Sequence, residues 1–132
     1  MNRKKWTLFA LAGLLFAGCS APAAGAAYER ITMEQAASRM EEEKDYLLLD
    51  VRTQEEYEAG HIPGAICLPN ETIEGQEPEE LPDKDQTIFV YCRSGNRSRQ
   101  AAQKLADMGY TRIVEMGGIG DWPGETVAGR EP

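Results

Sequence analysis

Two short runs of apolar residues constrain the fold of this chain more than any other feature of its sequence. Residues 46–51 read YLLLDV and residues 87–91 read TIFVY, with no regular alternation of polar and apolar side chains. Such runs are typical of strands that are buried on both faces of a parallel sheet. Because parallel strands need crossover connections, helices are expected between them and on both sides of the sheet. The sequence therefore predicts an α/β domain.

Two helices are predicted from their capping residues. Thr32 and Gln35 have the spacing of a capping box, which begins a first helix that extends to about Glu43. Thr53 can cap a second, short helix, which Gly60 ends. Each helix lies next to the first apolar run in the sequence, as the crossovers of a parallel sheet require.

The remaining elements follow from periodicity and turn residues. Further strands are predicted at 65–68 and 112–116, and a third helix ends at Gly109. The segment 71–86 is acidic and contains two prolines, so we expect a loop with one helical turn near 79–81. The apolar face of the third helix is formed by Ala101, Ala102, Leu105 and Met108.

The N-terminus has the layout of an export signal. Residues 2–5 are basic, and an apolar run of 12 residues follows at 6–17. This run is shorter than the roughly 20 residues that span a membrane, which argues against a helical anchor. The residues LFAGC at 15–19 resemble the lipobox of bacterial lipoproteins, in which the cysteine is acylated.

The lipobox resemblance divides the chain into three parts. Residues 1–18 are expected to be a removed signal peptide, 19–28 a lipidated Cys19 with a flexible tether, and 29–132 the folded domain. The protein is then exported and anchored to the extracytoplasmic face of the bacterial cell membrane by its lipid. Plain secretion and a hydrophobic N-terminus that stays in the cytosol are the alternatives.

Composition excludes several classes of function. The 132 residues include 14 basic and 22 acidic side chains, for a net charge of −8. Loss of residues 1–18 removes three basic and no acidic residues, which leaves −11. Such a protein lacks the basic surface that binds nucleic acid. One histidine and three cysteines are too few for a histidine-built zinc centre or a disulfide scaffold, so we expect neither a metal nor a cofactor.

Cys92 is the candidate nucleophile because it follows a buried strand and precedes a loop and a helix N-terminus. The loop consists of Arg93, Ser94, Gly95, Asn96, Arg97 and Ser98. Its N–H groups and the positive end of the helix can converge above the sulfur, especially if Gly95 adopts a positive φ. An ordinary thiol is only about 3% ionised at neutral pH. We expect the N–H groups, with Arg93 and Arg97, to lower the Cys92 pKa and attract a divalent anion.

Four motifs together resemble a single-domain rhodanese. They are LLDVR at 48–52, EYEAGHIPGA at 56–65, CRSGNRS at 92–98, and GGI at 117–119 with Trp122. The resemblance implies a three-layer fold with a five-stranded parallel sheet flanked by helices. It also implies sulfurtransferase activity through a persulfide on Cys92, with thiosulfate or another sulfur-containing anion as donor and cyanide or a thiol as acceptor.

Two other functions remain open for such a loop. Cysteine-dependent phosphatases and arsenate reductases use Cys-x5-Arg, whereas Cys92 and Arg97 are spaced as Cys-x4-Arg, a tighter cradle that suits a single sulfur atom. A non-catalytic rhodanese-like domain that carries sulfur or binds a partner is the second alternative. Such domains commonly lack the cysteine, which this chain has.

Several residues outside the loop are candidates for supporting roles. Asp50 and Arg52 end the first apolar run and can orient the loop or Arg97. An ion pair with Glu55 or Glu56 is the more favoured interpretation. Trp122 is expected either to wall the mouth of the active site, as the resemblance implies, or to anchor the core.

The single histidine and the third cysteine are assigned structural roles. His61 lies in a GHIPG turn, where its ring is expected to satisfy backbone groups rather than to act in catalysis. Cys67 lies between Ile66 and Leu68 in a predicted strand, so a buried filler is favoured over a thiol that resolves a disulfide.

Overall fold

The structure, a computed structural model, describes residues 28–132 and contains one parallel sheet of five strands. Along the sheet the strand order is β1-β5-β4-β2-β3, and every pairing is parallel. The five-stranded parallel sheet is therefore confirmed. The strands are β1 (Glu29–Arg30), β2 (Tyr46–Asp50), β3 (Ile66–Cys67), β4 (Thr87–Cys92) and β5 (Ile113–Gly118).

Three helices cover the sheet, close to the predicted bounds. They are α1 (Met33–Glu42), α2 (Gln54–Ala59) and α3 (Asn96–Asp107). Thr32 and Thr53 both form complete capping boxes. In each, the threonine side-chain oxygen accepts the backbone N–H of the third helical residue, and the side chain of that residue accepts the backbone N–H of the threonine. The third helix ends where predicted, with Gly109 at a φ of 97°.

The position of β4 in the middle of the sheet explains why its sequence is continuously apolar. Successive residues of a strand point to opposite faces, and here both faces are covered. Val90 packs into the core on one side with Leu105 of α3, while Phe89 packs into the core on the other side with Met33 of α1. Both strand residues are fully buried.

The structure differs from the prediction at a few connections. The two residues of β1 are exposed and pair only with β5, so no apolar pattern marked them as a strand. Near 79–81, where one helical turn is predicted, the structure has a single hydrogen-bonded turn, in which the Leu81 N–H bonds to the Pro78 carbonyl. An unpredicted 3-10 helix forms earlier, at Asn70–Thr72, through the N–H bonds of Thr72 to Pro69 and of Ile73 to Asn70.

The sequence-predicted signal peptide at 1–18, the lipidated Cys19 and most of the tether lie outside the described residues. Within residues 28–132, no helix is long and apolar enough to cross a membrane.

The end of β5 lies unusually close to the segment that follows β4. The register between the two strands shifts between Val90 and Cys92, which places Cys92 opposite Gly118. A Cβ atom at Gly118 would lie 2.3 Å from the carbonyl oxygen of Arg93, well inside van der Waals contact. Glycine at this position therefore lets the strand approach the loop that contains the candidate nucleophile.

Replacement of Gly118 by alanine is expected to destabilise the protein by about 1–3 kcal/mol, because a fixed backbone carbonyl must move. Gly120→Ala is the matched control, since a Cβ there meets nothing within 4 Å, and its effect should stay within about 0.5 kcal/mol. Urea denaturation of both variants measures the difference. Equal midpoints for the two variants would contradict the close approach.

Candidate active site

Cys92 is the last residue of β4 and is buried, with 1% of its surface exposed. Gly95 adopts a φ of 101°, so the expected positive φ is confirmed. The helix α3 then begins at Asn96. The second half of the predicted loop is therefore the first turn of this helix, and its N–H groups point back toward the sulfur.

The Cys92 sulfur lies within hydrogen-bonding distance of two loop groups. The N–H of Gly95 donates to Sγ at 2.9 Å, and the hydroxyl oxygen of Ser98 lies 3.4 Å from Sγ. The same hydroxyl lies 3.0 Å from the Gly95 carbonyl and 2.6 Å from Oε1 of Glu115 on β5. The residues 92–98 thus close into a cradle around the sulfur.

These contacts decide the ionisation of the thiol. Burial is the largest influence on the Cys92 pKa and raises it, but hydrogen bonds from the Ser98 side chain and from the N–H groups of Ser98, Gly95 and Ser94 together outweigh burial. The pKa of Cys92 is therefore lowered. The predicted lowering of the Cys92 pKa is caused by these hydrogen-bond donors rather than by Arg93 and Arg97.

The structure pairs Arg97 with Glu56 instead of leaving it free. Two guanidinium nitrogens of Arg97 lie 2.6 and 3.0 Å from the two carboxylate oxygens of Glu56. This bond lowers the pKa of Glu56 to about 2, with burial opposing the shift. Glu56 also completes the capping box of α2, so the pair ties α3 to α2. Arg93, in contrast, is exposed.

Asp50 and Arg52 form a buried ion pair with each other. Two nitrogens of Arg52 lie 2.7–3.1 Å from the carboxylate of Asp50, and one of them also donates to the Gly60 carbonyl at 2.6 Å. The prediction that Asp50 and Arg52 form an ion pair with Glu55 or Glu56 is wrong, because the Asp50 carboxylate bonds to the guanidinium of Arg52. In the sheet Asp50 lies opposite Tyr91, so the pair supports the end of β4 from the neighbouring strand.

Trp122 lies after β5 and packs against the core on the α1 side. Its indole N–H donates to the Glu125 carbonyl at 3.1 Å, and its ring borders an apolar groove with Met40 and Ile62. These contacts correspond to the core-anchor interpretation of this residue.

The surroundings of His61 and Cys67 are those of structural residues rather than of catalytic ones. The His61 ring is fully buried, with Nδ1 2.9 Å from the Tyr57 carbonyl and Nε2 2.8 Å from the Glu131 carbonyl, which confirms that it satisfies backbone groups. Cys67 is half-buried, and burial raises its pKa to about 11. A thiol with this pKa is a poor nucleophile at neutral pH.

The arrangement is suited to nucleophilic chemistry at sulfur. A thiolate held by N–H donors can attack an electrophile, and the same donors can stabilise charge that develops on the atom it captures. Across residues 28–132, no group of three or more His, Cys, Asp or Glu side chains is placed to hold a metal ion. Sequence reasoning did not select Glu115, whose contact with Ser98 crosses from one strand to the helix.

The fold and the cradle define a member of the rhodanese-like family. The sequence profile of the rhodanese-like domain matches residues 32–125, so the chain belongs to this family. The thiosulfate sulfurtransferase PspE of Escherichia coli is 40% identical over 73 residues, which cover 55% of this chain and 70% of that protein. A sulfurtransferase of Allochromatium vinosum is 41% identical over 93 residues, which cover 70% of this chain and 85% of that protein.

Solved structures show the same fold. A structure described as a rhodanese with anions from E. coli superposes with a TM-score of 0.59 and 37% sequence identity. The superposition covers 64% of this chain and 99% of that chain.

Removal of the Ser98 hydroxyl is expected to raise the Cys92 pKa, because a hydrogen bond to a charged group contributes about 1.5–3 kcal/mol and one pKa unit corresponds to about 1.4 kcal/mol. The thiolate persists above its lowered pKa and is lost as the pH falls through that value. The pH at which iodoacetamide alkylates Cys92 at half its maximal rate should therefore rise by about one unit in Ser98→Ala.

The alkylation is best measured in a single-thiol protein, defined as the full chain with Cys19→Ala and Cys67→Ala, in which Cys92 is the one remaining cysteine. Ser94→Ala is the matched control, because it removes a hydroxyl from the same loop but keeps the N–H group that faces the sulfur. If both serine variants raise the pH of half-maximal alkylation alike, the Ser98 hydroxyl has no special role.

Proposed function

We propose that this protein is a sulfurtransferase that carries a sulfane sulfur atom as a persulfide of Cys92. The observation that carries the proposal is the 2.9 Å hydrogen bond from the Gly95 N–H to the Cys92 sulfur inside a closed cradle. This geometry favours a thiolate nucleophile, and family membership together with sulfurtransferase relatives supports sulfur as the transferred atom. Thiosulfate or a persulfide is the proposed donor.

In the first half-reaction the Cys92 thiolate attacks the outer sulfur of thiosulfate. A bond forms between the two sulfur atoms as the bond to the sulfonate sulfur breaks, and sulfite leaves with the bonding electron pair. The product is Cys92–S–S⁻, so the total charge is unchanged. The N–H groups of residues 94, 95 and 98 are already oriented toward the sulfur and can stabilise the terminal negative charge without rearrangement.

In the second half-reaction an acceptor attacks the outer sulfur of the persulfide. Cyanide gives thiocyanate and regenerates the Cys92 thiolate, and a thiol acceptor gives a new persulfide. Because donor and acceptor react in separate steps through one covalent intermediate, ping-pong kinetics are expected.

The ion pair of Arg97 argues against a phosphatase. Phosphate esters are held best by an arginine that offers two parallel N–H donors to the oxyanion. Here two Arg97 nitrogens bond to Glu56, so a phosphate would have to compete with a carboxylate already in place. The short Cys-x4-Arg spacing of Cys92 and Arg97 also argues against a phosphatase.

Incubation with thiosulfate and cyanide should produce thiocyanate, and Cys92→Ser should reduce its formation to the uncatalysed background. Incubation with thiosulfate alone should increase the intact mass by one sulfur atom in the native protein but not in the variant. Cys67→Ser is the matched control and should keep both signals, since this thiol has a raised pKa.

Equal thiocyanate formation by native protein and Cys92→Ser would exclude the catalytic role of Cys92. A mass gain without thiocyanate would instead favour a sulfur carrier. Turnover of p-nitrophenyl phosphate that depends on Cys92 would favour the phosphatase alternative.

We also propose that the protein is exported and held at the extracytoplasmic face of the bacterial membrane by acylation of Cys19. The support is the LFAGC sequence after a basic segment and a short apolar run. A single acyl chain binds a membrane only marginally, whereas several chains together anchor a protein durably.

Replacement of Cys19 by alanine should move the protein from the membrane fraction to the soluble fraction, because no acyl chain can then be attached. Cys67→Ala is the matched control and should remain in the membrane fraction. The lipid anchor is contradicted if the Cys19 variant sediments with membranes as fully as the native protein.

A further inference from the structure

A buried carboxylate next to the nucleophile has no part in the reaction described so far. Glu115 lies on β5, is 3% exposed, and interrupts an otherwise apolar strand. Its Oε1 atom accepts the Ser98 hydroxyl at 2.6 Å and the Gly117 N–H at 2.9 Å. Burial of a charge is costly unless its partners compensate it, so the contacts of this carboxylate need an explanation.

The Ser98 hydroxyl connects this carboxylate to the nucleophile. Its oxygen lies 2.6 Å from Glu115 Oε1 and 3.4 Å from Cys92 Sγ. A hydroxyl has a single proton to donate but can accept through its lone pairs. When Ser98 donates to Glu115, its oxygen can accept the S–H of Cys92, and the three groups form a continuous hydrogen-bonded chain.

We propose that Glu115 is a positioning residue that takes the proton of Cys92 through Ser98. The proton leaves Sγ for the Ser98 oxygen while the proton of Ser98 moves to Oε1 of Glu115. No other bond changes, and the negative charge passes from the carboxylate to the sulfur. The product is a thiolate that accepts a bond from Ser98, which in turn accepts one from the carboxylic acid. The proposal rests on the proposed function, in which Cys92 reacts as a thiolate.

The arginines near Glu115 are exposed to solvent or bonded to other groups. Arg30 of β1 lies 3.5 Å from Oε2, but 60% of its side chain is exposed, so solvent weakens this pair. On α3, Arg99 lines one cavity together with Glu115 and also bonds to Asn96, while Arg97 is bonded to Glu56. Neutral Gln35 of α1 borders the same cavity.

The buried Asp50 provides a contrast within the same protein. Its two oxygens meet a buried arginine at 2.7–3.1 Å. Glu115 has instead a hydroxyl, one N–H group and a solvated guanidinium. Of these two buried carboxylates, Glu115 is the one that contacts the cradle, and its arginine partner is largely exposed.

The hydrogen-bonded groups of Cys92, Ser98 and Glu115 connect the sulfur to a cavity at the protein surface. Glu115 borders a cavity of about 310 Å³ whose wall also includes Gly95, Arg30 and Arg99. Cys92 itself is covered by its loop. A thiol acceptor R–SH that attacks Cys92–S–S⁻ yields R–S–S⁻ and Cys92–SH, so one proton remains on Cys92. The relay moves this proton to Glu115, from which water in the cavity can remove it, and so restores the thiolate.

The test is a pH titration of the thiolate absorbance in the single-thiol protein. Two groups that share a proton titrate in two macroscopic steps. The thiolate signal should therefore rise in two steps, and Glu115→Gln and Ser98→Ala should each reduce it to one. Glu34→Gln, which neutralises an exposed acid on α1, is the matched control and should keep both steps. A single step in the parent protein, or two steps in Glu115→Gln, would overturn the proposal.

A double-mutant cycle separates the relay from a purely electrostatic effect. If the proton passes through Ser98, then Glu115→Gln changes the titration in the native background but not in Ser98→Ala. If Glu115 acts only through its charge, the change is the same in both backgrounds, which would contradict the relay.

Infrared difference spectra provide a second measurement that does not depend on the folding of the Glu115 variants. The carbonyl band of a protonated carboxylic acid should persist through the first thiolate step and disappear with the second, because the one proton that remains after the first step resides on Glu115. In Cys92→Ser, which has no thiol to share the proton, the band should disappear in a single step. A thiolate that forms without this band would refute the transfer to Glu115.

Neither measurement uses a sulfur donor, so the relay and the proposed function fail separately. A two-step titration without thiocyanate formation would support the relay and contradict sulfur transfer. A one-step titration with normal thiocyanate formation would contradict the relay alone.

Discussion

The hydrogen bond between the Gly95 N–H and the Cys92 sulfur is the interaction on which the rest of the site depends. It requires the chain to reverse within three residues, which the positive φ of Gly95 permits. The same loop lies against β5, an approach that Gly118 permits because it has no side chain. With the loop in this position, the first turn of α3 begins directly beside the sulfur, and its N–H groups have an acceptor there.

This arrangement explains how an acidic protein can present a reactive anion. The long-range field of a chain with a net charge of −8 opposes both a thiolate and an anionic donor. The lowered pKa of Cys92 comes from hydrogen bonds at contact distance, which are not screened as distant charges are. Arg97 contributes mainly to structure through Glu56, whereas Arg93, which follows the nucleophile in the sequence, is exposed.

Much of the fold could be predicted from the sequence because the signals were local. The apolar runs of β2 and β4, the capping boxes at Thr32 and Thr53, and the glycine at the end of α3 each depend on neighbouring residues. The strand β1 could not be predicted, because its two residues are exposed and are ordered only by pairing with β5.

In the candidate site too, local features could be predicted from the sequence, whereas contacts between distant elements could not. The place of Cys92 and the positive φ of Gly95 follow from a contiguous motif. The partners of Arg97 and Ser98 do not, because Glu56 and Glu115 come from other elements of the chain. The wrong partner for Arg52 has the same origin: spacing along the chain does not show that Asp50 and Arg52 fold onto each other.

The bonds of Arg97 and Ser98 have a mechanical consequence for the cradle. These adjacent residues reach opposite flanks of α3, one to a glutamate on α2 and the other to a glutamate on β5. The first turn of the helix is therefore braced from two sides before any ligand arrives. For the proposed sulfurtransferase, a cradle that is already held in place favours donors whose size and charge fit it over donors that require closure around the bound molecule.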